Sequence, residues 1–167
     1  MSAWSEWQEV TTHIPTASRR LFRASAPNYQ GADNTQSLTQ EAVNQLVQHG
    51  INRVISLNEY RYTESERQLL DNAGIAYLHL PVVDFTAPTL EQIRRAIMMY
   101  SKKPNANVLV HCGFGHGRTG TLITAIQLYE TNGHLNLNQT MPTNHVERDS
   151  QREVLRAYQQ SLFDGEL

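Results

Sequence analysis

The chain has 167 residues, of which 40% are hydrophobic, so it is long enough for one compact domain with a buried core. Its net charge of −2 argues against a general nucleic-acid-binding protein, which would present a strongly basic surface. The single cysteine cannot form an internal disulfide, so folding does not depend on an oxidising compartment.

The N-terminal residues and the length of the apolar runs bear on the cellular location of the protein. The first ten residues contain two glutamates and no apolar stretch, so they lack the pattern of a secretory signal. No apolar run approaches the length of a membrane span. We therefore expect a cytoplasmic protein with no membrane span, although export without a cleavable signal would leave the same sequence.

Hydrophobic periodicity and turn residues predict the elements along the chain. A polar leader at 1–19 precedes strands predicted at 20–23, 51–57, 75–83 and 108–110. The first helix runs from a capping box at 37–40 to Gly50, and the second lies at 64–73. A second capping box at 89–92 opens a helix that runs to about residue 100, and further helices are predicted at 119–132, 137–141 and 150–162. The basic pair Lys102–Lys103 would then lie at the negative end of its helix.

Strands that alternate with helices of ten or more residues are typical of a mostly parallel sheet with helices on both faces. The expected fold is therefore a single α/β domain with a central sheet flanked by helices. In such sheets ligands bind beyond the carboxyl ends of the strands.

The segment 111–120 reads H-C-G-F-G-H-G-R-T-G and lies between the strand predicted at 108–110 and a helix. A strand, a glycine-rich loop and a helix N-terminus together form an anion-binding loop, because glycines let successive N–H groups turn toward one point. The predicted phosphate-binding residues are Gly113, Phe114, Gly115, His116, Gly117 and Arg118. We expect phosphate, vanadate or sulfate to bind there without a metal or another cofactor.

The reactive groups of this loop suit phosphate chemistry. A cysteine thiol reacts as its thiolate, which a helix N-terminus and inward-pointing amides stabilise, so Cys112 is the candidate nucleophile. The planar guanidinium of Arg118 matches two phosphate oxygens at once and would hold charge in the transition state. The hydroxyl of Thr119 is placed to donate a hydrogen bond to the cysteine sulfur.

The two histidines of the segment are assigned different positions. Adjacent strand residues face opposite ways, so we expect the side chain of His111 to point away from the pocket and to bond loop carbonyls, supporting the loop. A role for His111 as a base is the alternative. We expect His116 near the rim of the loop, solvated or touching substrate.

These residues match the signature H-C-x-x-G-x-x-R-[ST]-G, so the chain resembles the cysteine-dependent protein tyrosine phosphatase superfamily. Three further segments, L-F-R-A-S-A-P at 21–27, G-I-N-R-V-I-S-L at 50–57 and P-V-V-D at 81–84, resemble small atypical dual-specificity members over about residues 20–162. The resemblance implies a protein-tyrosine-phosphatase-like fold, with residues 20–167 as the catalytic domain.

Asp84 is the candidate general acid. It follows a predicted strand, in a loop before a capped helix, and the family places its acid at about the observed separation of 28 residues from the cysteine. A turn-forming aspartate is the alternative. Asp149, at the start of the last helix, is a reserve candidate, although an acid there also suits the helix dipole.

Gln151 resembles the glutamine with which many family members position the hydrolytic water. The local match is weak, because the Arg-Pro element often found upstream reads Met141–Pro142 in this chain. An ordinary surface residue of the last helix is the alternative.

The resemblance implies a phosphatase that hydrolyses phosphate monoesters through a cysteinyl-phosphate intermediate. Phosphotyrosine, and secondarily phosphoserine or phosphothreonine, in a phosphorylated protein partner are the expected substrates. The alternatives are an inositol phosphate, lipid phosphate or RNA 5′-phosphate hydrolase on the same scaffold, and a non-catalytic phosphopeptide-binding module. A rhodanese or an arsenate reductase is disfavoured, because the latter needs resolving cysteines that a chain with one cysteine lacks.

Overall fold

The computed structural model describes residues 2–102 and 105–165, so Lys103 of the predicted basic pair lies outside the described residues. Within them, five strands form one sheet in the order β1-β2-β5-β3-β4. The strands are β1 (Gln8–Val10), β2 (Arg20–Ala24), β3 (Arg53–Ser56), β4 (Ala76–His79) and β5 (Asn107–His111). All neighbours are parallel except β1, which pairs antiparallel with β2. This confirms the predicted single α/β domain.

Six α-helices complete the described part of the chain. They are α1 (Gln40–Gln48), α2 (Glu64–Asn72), α3 (Leu90–Ser101), α4 (Gly117–Glu130), α5 (Leu137–Thr143) and α6 (Asp149–Phe163). A single 3-10 turn, Asp33–Thr35, lies between β2 and α1. None of these helices has the length and apolar composition needed to cross a bilayer.

Alternation along the strands divides the core into two layers. On β5, Val108 and Val110 pack in the larger layer with α3, α4 and α6, whereas Leu109 packs in the smaller layer with α1 and α2. The central strand is therefore apolar on both faces, as expected for a parallel strand covered by helices.

Helix α4 is buried along nearly its whole length, from Gly117 to Leu128. It begins two residues before the predicted start at residue 119, so the glycine-rich loop closes directly into its first turn. Gly120 lies against the backbone at Asn144, where a Cβ atom would overlap the carbonyl oxygen. This close approach fixes the start of α4, and with it the loop, against the segment that follows α5.

The capping predictions had different outcomes. The box at 89–92 is confirmed, since the side chains of Thr89 and Gln92 bond each other's backbone N–H groups. The box at 37–40 is wrong: Thr39 is the N-cap and accepts from the Ala42 N–H. The helix starts later because Thr39 supplies a cap closer to the apolar face of α1.

Two strands differ from the sequence predictions. β4 ends at His79 rather than at residue 83, because Pro81 lacks the N–H that a ladder needs and the chain turns into the loop before α3. β1 was missed, since Gln8 and Glu9 give its three residues no apolar pattern. The division into a leader at 1–19 and a catalytic domain at 20–167 stays a prediction.

The N-terminal segment packs on the smaller core layer. Trp4 is 2% exposed and its indole N–H donates to the Ala42 carbonyl at 3.1 Å. The Trp4 ring also meets the edge of the His111 ring, with centroids 5.7 Å apart. Through Trp4, residues 2–10 therefore contact the strand that leads into the glycine-rich loop.

Candidate active site

A cleft of about 370 Å³ opens at the carboxyl edge of the sheet, where β5 ends and α4 begins. Its position agrees with the general rule for ligand sites in parallel sheets. The residues that line it are Tyr29, Gly31, Asp84, Phe85, Cys112, Phe114, His116, Gly117, Arg118, Glu147 and Gln151. The three residues with predicted chemical roles in the first step, Cys112, Arg118 and Asp84, thus share one cleft although Asp84 comes from a separate loop.

Cys112 directly follows β5 and is 2% exposed, at the floor of the cleft. Its Sγ accepts a hydrogen bond from the Gly115 N–H at 3.2 Å. Gly115 has a φ of +98°, and a Cβ atom there would lie 2.8 Å from the backbone of Ala24, so the loop needs glycine at this position. The loop backbone thereby places an N–H donor on the sulfur.

Arg118 lies in the first turn of α4 with its side chain 2% exposed. Its Nη1 donates to Asp33 Oδ2 at 2.6 Å and to the Val82 carbonyl at 2.8 Å, and its Nη2 donates to Asp33 Oδ1 at 2.8 Å. The carboxylate of Asp84 also approaches Nη2, at 3.1 Å. Burial lowers the pKa of Arg118, but the bonds to Asp33 and the charges of Cys112 and Asp84 outweigh it, so the guanidinium stays charged.

Asp33 is a site residue that the sequence analysis missed. It lies in the 3-10 turn before α1 and is 7% exposed. Burial raises the pKa of its carboxyl, but the hydrogen bonds from Arg118 and from the Glu59 N–H lower it further, so Asp33 is ionised. A lone aspartate in an irregular segment carries no periodic or motif signal that would have identified it.

Asp84 lies in the loop between β4 and α3, with its side chain 49% exposed to the cleft. Its Oδ1 accepts from the Phe85 N–H at 2.9 Å, a contact typical of a turn-forming aspartate. Asp84 therefore lines the cleft and also makes the contact of a turn-forming aspartate, and its role as general acid stays a prediction. Phe85 has a φ of +67° and packs under the Arg148 guanidinium, 4.6 Å from the ring centroid.

The side chain of His111 points away from the cleft. A carbonyl only accepts, so Nδ1 donates to the Cys112 carbonyl at 2.8 Å, and Nε2 accepts from the Tyr62 hydroxyl at 2.6 Å. Complete burial lowers the pKa of His111 to about 4, so the ring is neutral near pH 7. The geometry is that of a support for the loop, not of a base facing the cleft. Tyr62 carried no signal in the sequence.

Thr119 does not make the predicted bond to sulfur. Its hydroxyl is buried and has no hydrogen-bond partner among residues 2–102 and 105–165. The helical backbone places Thr119 one position beyond Arg118, whereas the Gly115 N–H is the donor found on Sγ. In the described part of the chain, the Thr119 hydroxyl therefore makes no contact through which it would assist the departure of the sulfur.

Gln151 is completely buried, which contradicts the surface alternative. Its Oε1 accepts from the N–H groups of Glu147 and Arg148, at 2.9 and 3.1 Å, and its Nε2 donates to the Thr86 carbonyl at 3.2 Å. Gln151 therefore ties the start of α6 to the loop that carries Asp84. Asp149, the reserve acid, instead faces solvent and pairs with Arg152 at 2.9 Å.

The remaining loop residues form the rim and its support. His116 stacks on His145 with centroids 4.2 Å apart, and its Nε2 lies 3.3 Å from a carboxylate oxygen of Glu6. Phe114 is 49% exposed and meets the edge of Tyr29. From below, the buried Arg23 donates to the Gly115 carbonyl at 3.0 Å. Nothing in the sequence indicated this contact, because Arg23 reads there as an ordinary strand residue.

Gly113 and Gly117 both lie against acidic side chains. A Cβ atom at Gly113 would overlap Asp33 Oδ1, and one at Gly117 would lie 2.7 Å from Glu147 Oε2.

No group of three or more histidine, cysteine, aspartate or glutamate side chains is placed to hold a metal ion in the described ranges.

A mostly parallel sheet, with Cys112 directly after β5 and Arg118 in the first turn of α4, is the arrangement of a phosphatase of the protein tyrosine phosphatase superfamily. The model of the family described as "Tc-R-P: Polymorphic toxin system, DSP-PTPase phosphatase" matches residues 30–132. The chain belongs to this family. No curated protein matches the chain.

Solved structures show the same fold at low sequence identity. Tk-PTP, in its active form, has 24% identity and a TM-score of 0.61 over 86% of this chain and 92% of that one. The putative phosphatase (DUF442) from Shewanella putrefaciens CN-32 has 22% identity and a TM-score of 0.65 over 97% and 94%. The core catalytic domain of the PP-IP phosphatase SIW14 from S. cerevisiae, in complex with citrate, has 14% identity and a TM-score of 0.66 over 99% and 93%.

Proposed function

We propose that the protein hydrolyses phosphate monoesters, chiefly phosphotyrosine and secondarily phosphoserine or phosphothreonine in proteins, through a cysteinyl-phosphate intermediate. One observation carries the proposal: the thiol of Cys112, the guanidinium of Arg118 and the carboxyl of Asp84 line a single cleft. A nucleophile, a fixed cation and a proton donor are the groups that this reaction requires.

In the first step, the thiolate of Cys112 attacks phosphorus in line with the leaving oxygen. A sulfur–phosphorus bond forms while the phosphorus–oxygen bond to the leaving group breaks. The proton of the Asp84 carboxyl goes to the departing oxygen, which leaves as an alcohol or phenol. Arg118 and the loop N–H groups hold the charge of the transferring phosphoryl group.

In the second step, water attacks the phosphorus of the cysteinyl phosphate. Asp84, now a carboxylate, takes a proton from the water, the sulfur–phosphorus bond breaks, and inorganic phosphate leaves with the thiolate restored. The Gly115 N–H on Sγ supports the departing sulfur. A role for Gln151 in placing the water stays a prediction, because both ends of its amide bond backbone groups.

The rim of the cleft supports a substrate with a single phosphate on an aromatic group. Tyr29, Phe85 and Phe114 lie around Cys112, and Phe85 and Phe114 are 56% and 49% exposed. The described lining contains the carboxylates of Asp84 and Glu147 but no lysine, which disfavours a substrate with several phosphates.

Turnover of p-nitrophenyl phosphate by the purified protein tests the reaction. We expect turnover without added metal, inhibition by vanadate, and loss of activity by about three orders of magnitude or more in Cys112→Ser. Turnover that survives Cys112→Ser would remove the mechanism. The Asp149→Asn variant is the control, because it removes an exposed acid outside the cleft and should keep wild-type activity.

A panel of phosphorylated peptides and soluble inositol phosphates tests the substrate class. The proposal expects phosphotyrosine peptides to have the highest kcat/KM and inositol phosphates the lowest. Faster turnover of an inositol phosphate than of any peptide would contradict the substrate class while leaving the reaction intact.

A further inference from the structure

The hydrogen bonds of Arg118 leave one edge of its guanidinium for substrate. Of its five N–H groups, two donate to Asp33, one donates to the Val82 carbonyl, and one on Nη2 faces Asp84. Nε donates to no residue in the described ranges. The free edge is therefore the one formed by Nε and Nη2, and it lies on the same side as Asp84.

Asp33 is itself held in place on several sides. Its Oδ2 accepts from the Glu59 N–H at 3.0 Å, and its backbone carbonyl accepts from the Asn58 side chain at 3.2 Å. Its Oδ1 lies against Gly113, which has no side chain to displace it. The carboxylate thus joins three segments of the fold: the 3-10 turn, the end of β3 and the phosphate-binding loop.

We propose that Asp33 is the positioning residue of Arg118, and this role rests on the proposed phosphatase function. Its two oxygens bind the Nη1–Nη2 end of the guanidinium, so the Nε–Nη2 edge is fixed toward the phosphate above Cys112. Two parallel N–H groups on that edge match two phosphate oxygens. Without the carboxylate, the guanidinium could rotate about its side chain and present a different edge.

The proposal also assigns a resting partner to the free edge. Asp84 pairs with Nη2 at 3.1 Å, at the position that a phosphate oxygen would take. When phosphate binds, that pair is broken and the Asp84 carboxyl becomes available to the leaving group. Asp33 keeps its bonds to Arg118 in both states, so it touches neither the substrate nor the reacting atoms.

The Asp33→Asn variant tests this role, since the amide keeps the size of the side chain but presents one donor to a donor-only guanidinium. We expect kcat for p-nitrophenyl phosphate to fall by about 100-fold, because small misplacements of a catalytic group have effects of that size. We expect inhibition by inorganic vanadate to weaken at least tenfold. A purely structural residue would lower the melting temperature but leave kcat and vanadate inhibition at 25 °C unchanged, which would overturn the proposal.

A double-mutant cycle with Arg118→Lys shows whether Asp33 acts through Arg118. In the Arg118→Lys background, Asp33→Asn should change kcat/KM by less than threefold. An equal effect of Asp33→Asn in both backgrounds would contradict the proposal.

If Asp33→Asn fails to fold, as judged by circular dichroism, Asp33→Glu replaces it, because it keeps the buried charges paired while moving the carboxylate by one methylene. A reduced kcat in folded Asp33→Glu supports the positioning role, and wild-type kcat overturns it. Wild-type turnover and its loss in Cys112→Ser test the proposed function separately, so failure of one claim is distinguishable from failure of the other.

Discussion

His111 shows how one buried side chain can couple the stability of the fold to pH. In the folded protein burial lowers the pKa of His111 to about 4, whereas an unfolded histidine titrates near 6.5. Between these values the unfolded chain binds a proton that the folded protein does not. Stability is therefore complete above about pH 6.5 and falls as the pH is lowered toward 4.

Because of His111, we expect the free energy of unfolding to fall by about 2 kcal/mol when the pH is lowered from 7 to 5. Urea unfolding at the two pH values measures this loss. The His111→Gln variant should be less stable at pH 7 but should show a smaller loss on acidification. An unchanged pH dependence in His111→Gln would show that the ring is not held neutral.

Asp84 carries a prediction about leaving groups. If it protonates the leaving oxygen, Asp84→Asn should lower kcat by about 100-fold or more for a phosphotyrosine peptide, whose leaving group is a poor one. The loss should be much smaller for an aryl phosphate with a strongly acidic phenol, which leaves without a proton. Asp149→Asn serves again as the matched control. An equal loss for both substrates would indicate that Asp84 acts through Arg118 or through its turn rather than as an acid.

Among the helices, α4 has a position that is closely fixed by packing. Its first turn holds Arg118, its length is buried, and Gly120 meets the backbone of Asn144 without room for a side chain. The position of the phosphate-binding loop therefore depends on contacts that the helix makes with the segment after α5.

Gly120→Ala should destabilise the protein by about 1–3 kcal/mol through overpacking and should also lower kcat, because α4 must shift and carry Arg118 with it. Gly74→Ala is the control. It faces open space but has a φ of +71°, so it should cost about 1–2 kcal/mol without changing kcat. Thermal unfolding and p-nitrophenyl phosphate turnover measure the two effects. Wild-type kcat in a folded Gly120→Ala protein would contradict the coupling.

The elements that the sequence predicted well are those with long periodic patterns or specific end signals. β5 and α4 combine an apolar run with the glycine-rich segment between them, and Thr89 and Gln92 mark the start of α3. β1 was not predictable, because three residues without an apolar pattern form a strand only through pairing with β2. The early end of β4 had a local signal in Pro81, but the prediction followed the apolar run as far as residue 83. Thr39 replaced Ser37 as a cap although both residues suit the role locally.

The candidate site divides along the same line. The loop from Cys112 to Arg118 and the position of Asp84 followed from strand ends and a local motif. Asp33, Arg23 and Tyr62 did not, because each supports the loop through polar contacts made across the fold. Their partners are more than 45 residues away in sequence. Such contacts require the three-dimensional arrangement of the sheet.

At the scale of the whole molecule, the N-terminal segment is part of the packed structure. β1 extends the sheet, and the Ser5 carbonyl accepts from the Ser25 N–H at 2.9 Å. The next residue, Ala26, donates its N–H to the Gly113 carbonyl of the phosphate-binding loop at 2.7 Å. Trp4 fills the space between α1 and His111. The N-terminal segment is therefore joined to the site through β2 and the residues that follow it.

Trp4→Ala should lower the free energy of unfolding by about 3–5 kcal/mol, the range for a buried aromatic side chain. Urea unfolding measures the change. Phe163→Ala, which truncates a side chain that is 51% exposed, should cost much less. A loss in Trp4→Ala no larger than that in Phe163→Ala would show that the N-terminal segment does not stabilise the domain.

Cytoplasmic location stays a prediction from the sequence alone.

The central claim is that phosphate passes through the sulfur of Cys112, and direct detection of that intermediate tests it most closely. The protein would be mixed rapidly with p-nitrophenyl phosphate, quenched, digested and analysed by mass spectrometry. If phosphate passes through Cys112, one phosphoryl group is expected on the peptide that contains Cys112, formed with a burst of p-nitrophenolate and absent in Cys112→Ser. Phosphate found on another residue, or steady turnover with no phosphoryl group on that peptide at any quench time, would contradict it.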